Sequence, residues 1–392
     1  MCRFLLRIWH IMLGGACAVL FLGQITPADA LASINPDVMV FLLCMFIVGE
    51  ACCRSGYLDT LTDTLFRYAH TSGELVALVL FGFGALAALL MNDTLAIIGT
   101  PLVLGLAGRS RIPAKLMLLA LAFAITTGSV TSPIGNPQNL LVAVNSGMHA
   151  PFVTFATWLL LPTIASLAAA WLVLYLFFRK EWTALLKFEP APVTTPDPDL
   201  IRIVQCSLVI LIGLTLANIA ASFIAGAIVM PLPLIGIAAA FPVLVFSAKR
   251  VEVVRSVDWT TLIFFAAMFV LMAAVWETGF FQSLAGIAGL SSVPAILATS
   301  VITSQFISNV PFVALFQPLI LQAGGGTARL MALVAGSTIA GNLTILGAAS
   351  NVIIIQQAET RGETITFIEF FRVGVVVTVI QVAIYAIFLG LL

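Results

Sequence analysis

Long apolar runs alternate with short polar interruptions over nearly the whole chain of 392 residues. A run of about 20 apolar residues is long enough to cross the hydrocarbon core of a bilayer as an α-helix. The pattern predicts full crossings at 8–26, 35–53, 114–146, 152–178, 203–221, 226–247, 258–277, 330–357 and 367–391. The expected fold class is therefore an all-α polytopic membrane protein.

Two further apolar stretches, 75–107 and 295–322, are each long enough for two helical arms. A polar residue interrupts both, Asn92 in the first and Asn309 in the second, and in both a proline follows nine residues later. The two asparagines lie 217 residues apart (309 − 92), as do the two prolines. This spacing predicts a pair of re-entrant hairpins, each of which enters and leaves the membrane on one side.

Matches between the two halves of the chain extend beyond these hairpins. Residues 45–48 match 268–271 at an offset of 223 (268 − 45), and Asn139 matches Asn351 at an offset of 212 (351 − 139). In both halves the hairpin is followed by a long apolar helix with a polar break in its middle. The pattern predicts two repeats, each with a re-entrant hairpin and a broken transmembrane helix.

The predicted repeats run in opposite directions through the membrane. The first repeat, 1–180, is followed by a cytoplasmic linker at 181–202 and a connecting helix at 203–221. That single crossing inverts the topology of the second repeat, 226–392. The helix at 8–26 also has features of a cleavable signal peptide, but the repeat needs this helix and favours an uncleaved one.

The basic residues agree with this layout. If the N-terminus is cytoplasmic, only Arg329 of the 17 lysines and arginines falls outside, as the positive-inside rule requires. If the hairpins were single crossings, Arg109, Arg111 and Lys115 would lie outside. We therefore expect a multi-pass protein of the inner (plasma) membrane, with a cytoplasmic N-terminus and an extracytoplasmic C-terminus.

Composition narrows the class of protein. The chain is 61% hydrophobic and 9% charged, whereas soluble domains are roughly 25% charged. The net charge is zero, which gives no basic patch for nucleic acid. The sequence has no His-Glu-x-x-His or Gly-x-Ser-x-Gly motif, and no histidine in the breaks, so we do not expect an enzyme. A passive channel is the other alternative, and saturable flux with counter-flow would exclude it.

Buried polar groups concentrate in four segments: the hairpin tips at 92–94 and 308–309, and the helix breaks at 131–139 and 341–351. Unwound backbone at membrane depth is tolerated where it lines a cavity, and its carbonyls can hold a cation. The N-termini of the half-helices that follow can face an anion. The residues predicted to bind substrate or ion are Asn92, Asp93, Thr94, Ser132, Gly135, Asn136, Asn139, Ser308, Asn309, Asn342, Thr344, Gly347, Ser350 and Asn351.

Asp93 is the only acidic residue in these four segments, which contain no lysine or arginine. An ionisable group inside the membrane is costly and by default suggests a function. Asp93 is suited to exchange a proton or to hold Na⁺, although a hydrated carboxylate beside an aqueous vestibule is the alternative. An anionic substrate would rest on amides, hydroxyls, helix dipoles and a co-bound cation.

These motifs resemble the ion transporter superfamily, which includes divalent anion/sodium symporters, citrate transporters and arsenite permeases. The resemblance covers about 35–180 and 226–392. Asn92 and Asn309 occupy the places of the asparagines in the Ser-Asn-Thr tips of the dicarboxylate branch, and 135–139 resembles its Gly-Thr-Pro-Pro-Asn-like turn. The second break and the Asn92-Asp93 pair are more similar to the arsenite-permease branch.

The resemblance implies two cation sites, one in each half. They would be built from Asn92, Gly135 and Asn136, and from Ser308, Asn309 and Gly347; Asp93 is a further Na⁺ candidate. It also implies a homodimer that moves its hairpin-bearing part as an elevator. The substrate-binding threonines of the dicarboxylate branch are replaced here by Asp93 and Val310.

We therefore expect a secondary active transporter that moves a small anion or oxyanion by alternating access. Its coupling ion would be Na⁺ or H⁺, with no other cofactor, and its partners would be that substrate and the lipid bilayer. One alternative is an arsenite or antimonite efflux permease. Another is a Na⁺/H⁺ antiporter in which Asp93 alternates between the two ions.

Overall fold

The computed structural model describes residues 8–57, 69–182, 197–224, 229–284 and 292–391. The regular secondary structure of these residues is helical, with no β-strand among them. The α-helices are α1 (Ile8–Phe21), α2 (Pro27–Ser33), α3 (Pro36–Ser55), α4 (Ser72–Ala87), α5 (Asn92–Ser110), α6 (Ala114–Gly128), α7 (Pro137–Asn145), α8 (Pro151–Phe177), α9 (Pro198–Ala221), α10 (Leu232–Phe246), α11 (Arg250–Ser256), α12 (Trp259–Glu277), α13 (Phe280–Leu284), α14 (Val293–Ile307), α15 (Asn309–Gln322), α16 (Thr327–Ile339), α17 (Ala349–Glu359) and α18 (Phe367–Leu391).

Local sequence explains where many of these helices begin. A polar side chain at the N-cap accepts a hydrogen bond from a backbone N–H of the first turn, which would otherwise lack a partner. Proline often follows at the first helical positions, where its missing N–H costs nothing. The capping residues are Thr26, Asn35, Thr71, Asn136, Asp197, Asp258 and Ser292.

Among the described residues, six helical segments are long and apolar enough to cross a membrane. They are Pro36–Ser55, Ala114–Thr131, Pro151–Phe177, Pro198–Ala221, Trp259–Glu277 and Phe367–Leu391. This result confirms the expected all-α polytopic membrane fold. The helices α1 and α10 have 14 and 15 residues and are shorter than the runs from which they were predicted.

Both predicted hairpin tips are interrupted near the expected asparagine. The first arm, α4, ends at Ala87, and the second arm, α5, begins at Asn92. In the second half, α14 ends at Ile307 and α15 begins at Asn309. That both arms of each hairpin return to one side of a membrane remains a prediction, as do the boundaries of the two repeats.

The two predicted helix breaks are also present. After α6, the residues Ser129–Thr131 form a 3₁₀ turn before α7 begins at Pro137. After α16, the turns Ala340–Asn342 and Ile345–Gly347 precede α17. Both α6 and α16 are buried on nearly all sides, which places the breaks deep inside the molecule.

Helix packing divides most of the molecule into two groups. In the core body, which comprises α4–α8 and α14–α18, the hairpin arms α4 and α14 pack against α6 and α16. In the scaffold body, which comprises α1–α3 and α9–α12, α3 packs against α9 and α10, and α1 packs against α12. The hairpins and breaks therefore belong to the core body.

Similar backbone geometry follows two helices that the predicted repeat relates. Gly56 directly follows α3 and Gly279 lies two residues after the end of α12, and their φ angles are 70° and 71°. This left-handed conformation carries no steric penalty for glycine. The two glycines lie 223 residues apart (279 − 56), the same offset as the matching segments inside the two helices.

Candidate functional site

The first hairpin tip contacts the first helix break directly. The backbone N–H of Asn92 donates to the carbonyl oxygen of Gly135 at 3.0 Å. A Cβ at Gly135 would lie 2.4 Å from the carbonyl oxygen of Ser129 and 2.9 Å from that of Ala87. Only glycine lets the tip, the break and the end of α4 meet at this point.

Two buried asparagines hold the shape of the first break. The Asn139 Nδ2 donates to the carbonyl oxygens of Ser129 at 2.9 Å and Ser132 at 3.0 Å, and its Oδ1 accepts from the Thr338 hydroxyl at 3.2 Å. The Asn136 Oδ1 caps α7 by accepting from the N–H of Asn139 at 2.8 Å. The protein itself therefore uses these two predicted ligands to position backbone.

The second break repeats this arrangement. The Asn351 Nδ2 donates to the carbonyl oxygens of Gly341 at 2.5 Å and Thr344 at 3.4 Å. These acceptors correspond to Ser129 and Ser132 at an offset of 212 (341 − 129 and 344 − 132). Thr344 also caps the following turn by accepting from the N–H of Gly347 at 3.1 Å.

Gln305 connects the second hairpin to the second break, a role that could not be predicted from the sequence pattern. Its Nε2 donates to the carbonyl oxygen of Ala340 at 2.8 Å, and its Oε1 accepts from the Thr344 hydroxyl at 2.7 Å. In the first half, the hydrogen bond that joins the tip to the break connects two backbone groups, the N–H of Asn92 and the carbonyl oxygen of Gly135.

The second tip is strained and short of hydrogen-bond donors. Ser308 has φ of 65° and ψ of 162°, a conformation that costs a non-glycine residue about 1–3 kcal/mol. Several buried oxygens nearby have no hydrogen-bond partner among the described residues: Ser304 Oγ, Asn309 Oδ1, Asn342 Oδ1, Ser350 Oγ and Asn351 Oδ1. The three amide oxygens only accept hydrogen bonds and suit a cation, whereas the two serine hydroxyls can also donate to an anion.

Asn342 belongs to a polar network that crosses the core body. Its Nδ2 donates to the Thr127 hydroxyl at 3.0 Å and to the Gln381 Oε1 at 2.8 Å. The Gln381 Nε2 donates to the same hydroxyl at 2.9 Å. All three residues are buried. The amide nitrogen of Asn342 is occupied by Thr127 of the first half and Gln381 of α18, so it is not available to a substrate.

Two clefts lie between the core and scaffold bodies. The smaller, here called the carboxylate cleft, has a volume of about 50 Å³ and lies between α3, α5, α17 and the start of α12. Its polar lining residues are Glu50, Asp93, Thr94, Ser256, Asp258 and Thr261. The larger, here called the amide cleft, has a volume of about 500 Å³. Its polar lining residues are Ser33, Asn35, Asn145, Glu277, Gln317 and Gln322.

The repeat relates these two clefts to each other. Phe46 in the carboxylate cleft corresponds to Phe269 in the amide cleft (269 − 46 = 223). Likewise Ile97 corresponds to Ala314 (314 − 97 = 217), and Leu141 corresponds to Ile353 (353 − 141 = 212). Equivalent surfaces of the two halves therefore enclose very different volumes in one structure.

The structure brings some predicted site residues together and separates others. Asp93 and Thr94 line the carboxylate cleft, whereas Asn309 and Ser308 line neither cleft. None of the described residues that line the two clefts is a lysine or an arginine. The two half-sites are instead linked by packing, because α7 contacts α15 and α17 contacts α5.

This combination of paired helix breaks, hairpin tips and repeat-related clefts is that of a membrane transporter. The family model described as "Citrate transporter" matches residues 1–329. The chain belongs to the citrate transporter family.

Relatives with curated names are also transporters or membrane proteins. The uncharacterised transporter Rv2684 of Mycobacterium tuberculosis is 29% identical over 403 residues, covering 97% of this chain and 92% of the relative. The silicon efflux transporter LSI3 of Oryza sativa subsp. japonica is 26% identical, with coverage of 88% and 84%. The inner membrane protein YbiR of Escherichia coli is 27% identical, with coverage of 78% and 77%.

A solved structure shares the fold. The YdaH transporter of Alcanivorax borkumensis, described as having an unusual topology, superposes with a TM-score of 0.64 at 14% sequence identity. The match covers 98% of both chains. The two chains therefore share a fold over almost their whole lengths.

Proposed function

We propose that this protein is a secondary active transporter that moves a small anion or oxyanion by alternating access, coupled to Na⁺ or H⁺. The observation that carries the proposal is the pair of repeat-related clefts, about 50 Å³ and about 500 Å³ in volume. Inverted repeats allow the two halves to exchange conformations. Movement of the core body against the scaffold body would close one cleft and open the other, as in an elevator.

Helix N-termini supply the positive potential that an anion needs in this site. The half-helices α7 and α17 begin inside the core body, directly after the two breaks. The N–H of Asn139 is capped by Asn136, and the N–H of Asn351 donates to the carbonyl oxygen of Ala348. The start of each half-helix is nevertheless the positive end of its dipole. This arrangement supports anion binding without a lysine or arginine.

The second tip supports a coupling cation. Its unpartnered oxygens include Asn309 Oδ1, which belongs to a side chain only 6% exposed. Leaving a buried acceptor without a donor costs about 1–3 kcal/mol, and a bound cation would recover that cost. Gly135 and Gly347 keep carbonyl oxygens close together at the two breaks.

The first test is coupled flux in proteoliposomes that contain the full-length protein. We expect uptake of a small anion to saturate, to show counter-flow, and to require a Na⁺ or H⁺ gradient. The Asp93→Asn variant should fold normally but lose the coupling, because the amide carries no charge to balance the cation. Asp37→Asn, on an exposed position of α3, is the matched control and should behave as wild type. Wild-type coupling in Asp93→Asn would contradict the proposed role of Asp93.

A second candidate is efflux of a neutral hydroxylated solute, such as arsenous or antimonous acid. It is favoured by the absence of lysine and arginine from the described linings of both clefts, and a relative is named as a silicon efflux transporter. Competition between citrate, arsenite and silicic acid for flux would separate the two candidates. Na⁺/H⁺ exchange without any solute would instead favour the antiporter alternative.

A further inference from the structure

We propose that the carboxylate cleft is a binding site for a small monovalent metal cation, held between Asp93 of the core body and Asp258 of the scaffold body. Asp258 would then be a second coupling residue, on the part of the molecule that carries neither hairpin nor break. This inference rests on the proposed function, because it gives a coupling cation a position between the two bodies, in addition to the one at the second tip.

The charge balance inside the cleft supports a cation. Glu50 is already paired with Arg54, whose Nε lies 2.7 Å from its Oε1. Asp93 and Asp258 both line the cleft and have no salt-bridge partner among the described residues, so two like charges share this space when both are ionised. Two facing carboxylates in a partly buried space are costly unless a cation lies between them.

The oxygen atoms available in the cleft suit a hard cation. The Asp258 Oδ1 accepts from the N–H of Thr261 at 3.1 Å, and its Oδ2 accepts from the Thr261 hydroxyl at 2.6 Å. These bonds orient the carboxylate and still leave lone pairs on Oδ2. Carboxylate, hydroxyl and water oxygens together form the kind of shell that hard cations take.

Thr94 provides an independent observation that points to a ligand. It is 8% exposed, lines the cleft, and its hydroxyl makes no hydrogen bond to any described residue. A Cβ at Gly49 would lie 2.9 Å from this hydroxyl and 2.4 Å from Thr94 Cγ2. Glycine at position 49 therefore lets the tip of the core body press its polar side chains against α3 of the scaffold body.

The size of the cleft excludes the larger candidates. A volume of about 50 Å³ accommodates an ion with a few waters, but not a citrate-sized anion, which the carboxylates would also repel. The described residues contain no group of three or more His, Cys, Asp or Glu side chains placed to hold a metal. That argues against a transition metal and leaves a sodium-like ion as the occupant.

The position of the site between the two bodies has a mechanistic consequence. Asp93 moves with the core body, whereas Asp258 stays with the scaffold body. Movement of the core body away from the scaffold body would remove Asp258 from the cation, and the cation would lose one of its two carboxylates. Asp258 would thus favour the cation-bound state when the carboxylate cleft is closed.

The test is equilibrium binding of radioactive sodium to the purified full-length protein at pH 7. Asp258 is also the N-cap of α12, so Asp258→Asn is chosen because asparagine caps helices equally well. Asp197→Asn is the matched control, since Asp197 is an N-cap aspartate of α9 that lies outside the cleft. We expect Asp258→Asn and Asp93→Asn each to weaken sodium binding at least about tenfold, and the control to bind as wild type.

Each other outcome is informative. If Asp93→Asn weakens sodium binding and Asp258→Asn does not, the interface site is wrong while the proposed coupling through Asp93 stands. If the wild type shows no saturable sodium binding, the site is overturned and a proton becomes the coupling ion to test. Thr94→Val provides a second variant, which removes a hydroxyl without adding volume, and unchanged sodium affinity in it would also count against the site.

Discussion

At the scale of single residues, the breaks depend on glycines that have no space for a side chain. Around Gly135 the nearest atoms are backbone carbonyl oxygens, which cannot rotate away as a side chain can. Gly347 is also crowded, since a Cβ there would lie 2.6 Å from the carbonyl oxygen of Ala340 and 2.9 Å from the Gln305 Oε1. The two glycines are 212 residues apart (347 − 135), the offset that relates the two breaks. Glycine therefore occupies the equivalent crowded position in both breaks.

We predict that Gly135→Ala will lower the free energy of unfolding by about 1–3 kcal/mol, as forced overpacking of a buried position does. The midpoint of thermal unfolding in detergent would measure the change. Gly82→Ala is the control, because a Cβ at that position meets nothing within 4 Å and alanine favours α4 by up to about 1 kcal/mol. Equal stability of Gly135→Ala and Gly82→Ala would contradict the claim that the backbone around Gly135 leaves no room for a side chain.

The residues at the tips and breaks were largely predictable from the sequence, whereas their partners were not. Asn92 and Asn309 interrupt apolar runs at matching places, and the helices α5 and α15 begin at these two residues. Gln305 and Asp258 could not be identified, because nothing near them in sequence marks contact with distant elements. Gln305 meets Thr344 across 39 positions of the chain, and only the tertiary fold brings them together.

At the scale of elements, the scaffold body is tied together outside the apolar helices by an ion pair. The Lys249 Nζ lies 2.7 Å from the Asp197 Oδ2, which joins the start of α9 to the segment before α11. The hydrogen bond from Lys249 lowers the pKa of Asp197, and the same contact raises the pKa of Lys249. Folding therefore favours the charged form of both groups.

This ion pair predicts a defined pH dependence. The stabilisation by Asp197 is present above the ordinary pKa of an aspartate and is lost as pH falls through its lowered value. The stabilisation by Lys249 is present below the ordinary pKa of a lysine and is lost as pH rises through its raised value. Asp197→Asn keeps the N-cap but removes the ion pair with Lys249. The variant should therefore be less stable than wild type at neutral pH, and the difference in stability should shrink in acid.

Thermal unfolding of both proteins between neutral and acidic pH would measure this convergence. Asp199→Asn is the control, because its side chain is 92% exposed and its oxygen lies 4.0 Å from Arg202. Exposed pairs of this kind contribute little to stability. A stability difference for Asp197→Asn that does not change with pH would indicate that the ion pair is not its cause.

The ends of some helices could not be predicted from the hydrophobic pattern. The apolar run at 8–26 predicted a full crossing, but α1 ends at Phe21 and Gly23 follows with φ of 67°. A glycine in the left-handed conformation ends a helix regardless of the hydrophobicity around it. Composition identifies apolar segments well and identifies their ends poorly, because ends depend on single residues.

At the scale of the whole molecule, the unequal clefts make a prediction about sidedness. The positive-inside rule predicts that the amide cleft faces the outside and that the loop containing Glu363 faces the cytoplasm. Gln322→Cys, in a cysteine-free background, should react with a membrane-impermeant thiol reagent added to intact cells, because its cleft is open. Glu363→Cys is an exposed position and should react only after the membrane is permeabilised.

The same pair of variants tests the conformational change. Substrate and sodium together should slow labelling of Gln322→Cys if movement of the core body closes the amide cleft. Labelling of Glu363→Cys in permeabilised cells should not respond to either ligand. Reaction of Gln322→Cys only after permeabilisation would reverse the assigned orientation of the whole chain.

The crossed packing of the half-helices has a consequence for how the protein is made. The half-helix after each break packs against the second hairpin arm of the other half, and Gln317 of α15 donates to the carbonyl oxygen of Val142 in α7 at 3.2 Å across 175 positions of the chain. Chains fold from the N-terminus as they are synthesised. Until the second half has been synthesised, α7 therefore lacks its contact with α15, and α5 lacks its contact with α17. These contacts between the halves are then among the last to form, and the nascent first half is the stage at which an insertase or chaperone would help most.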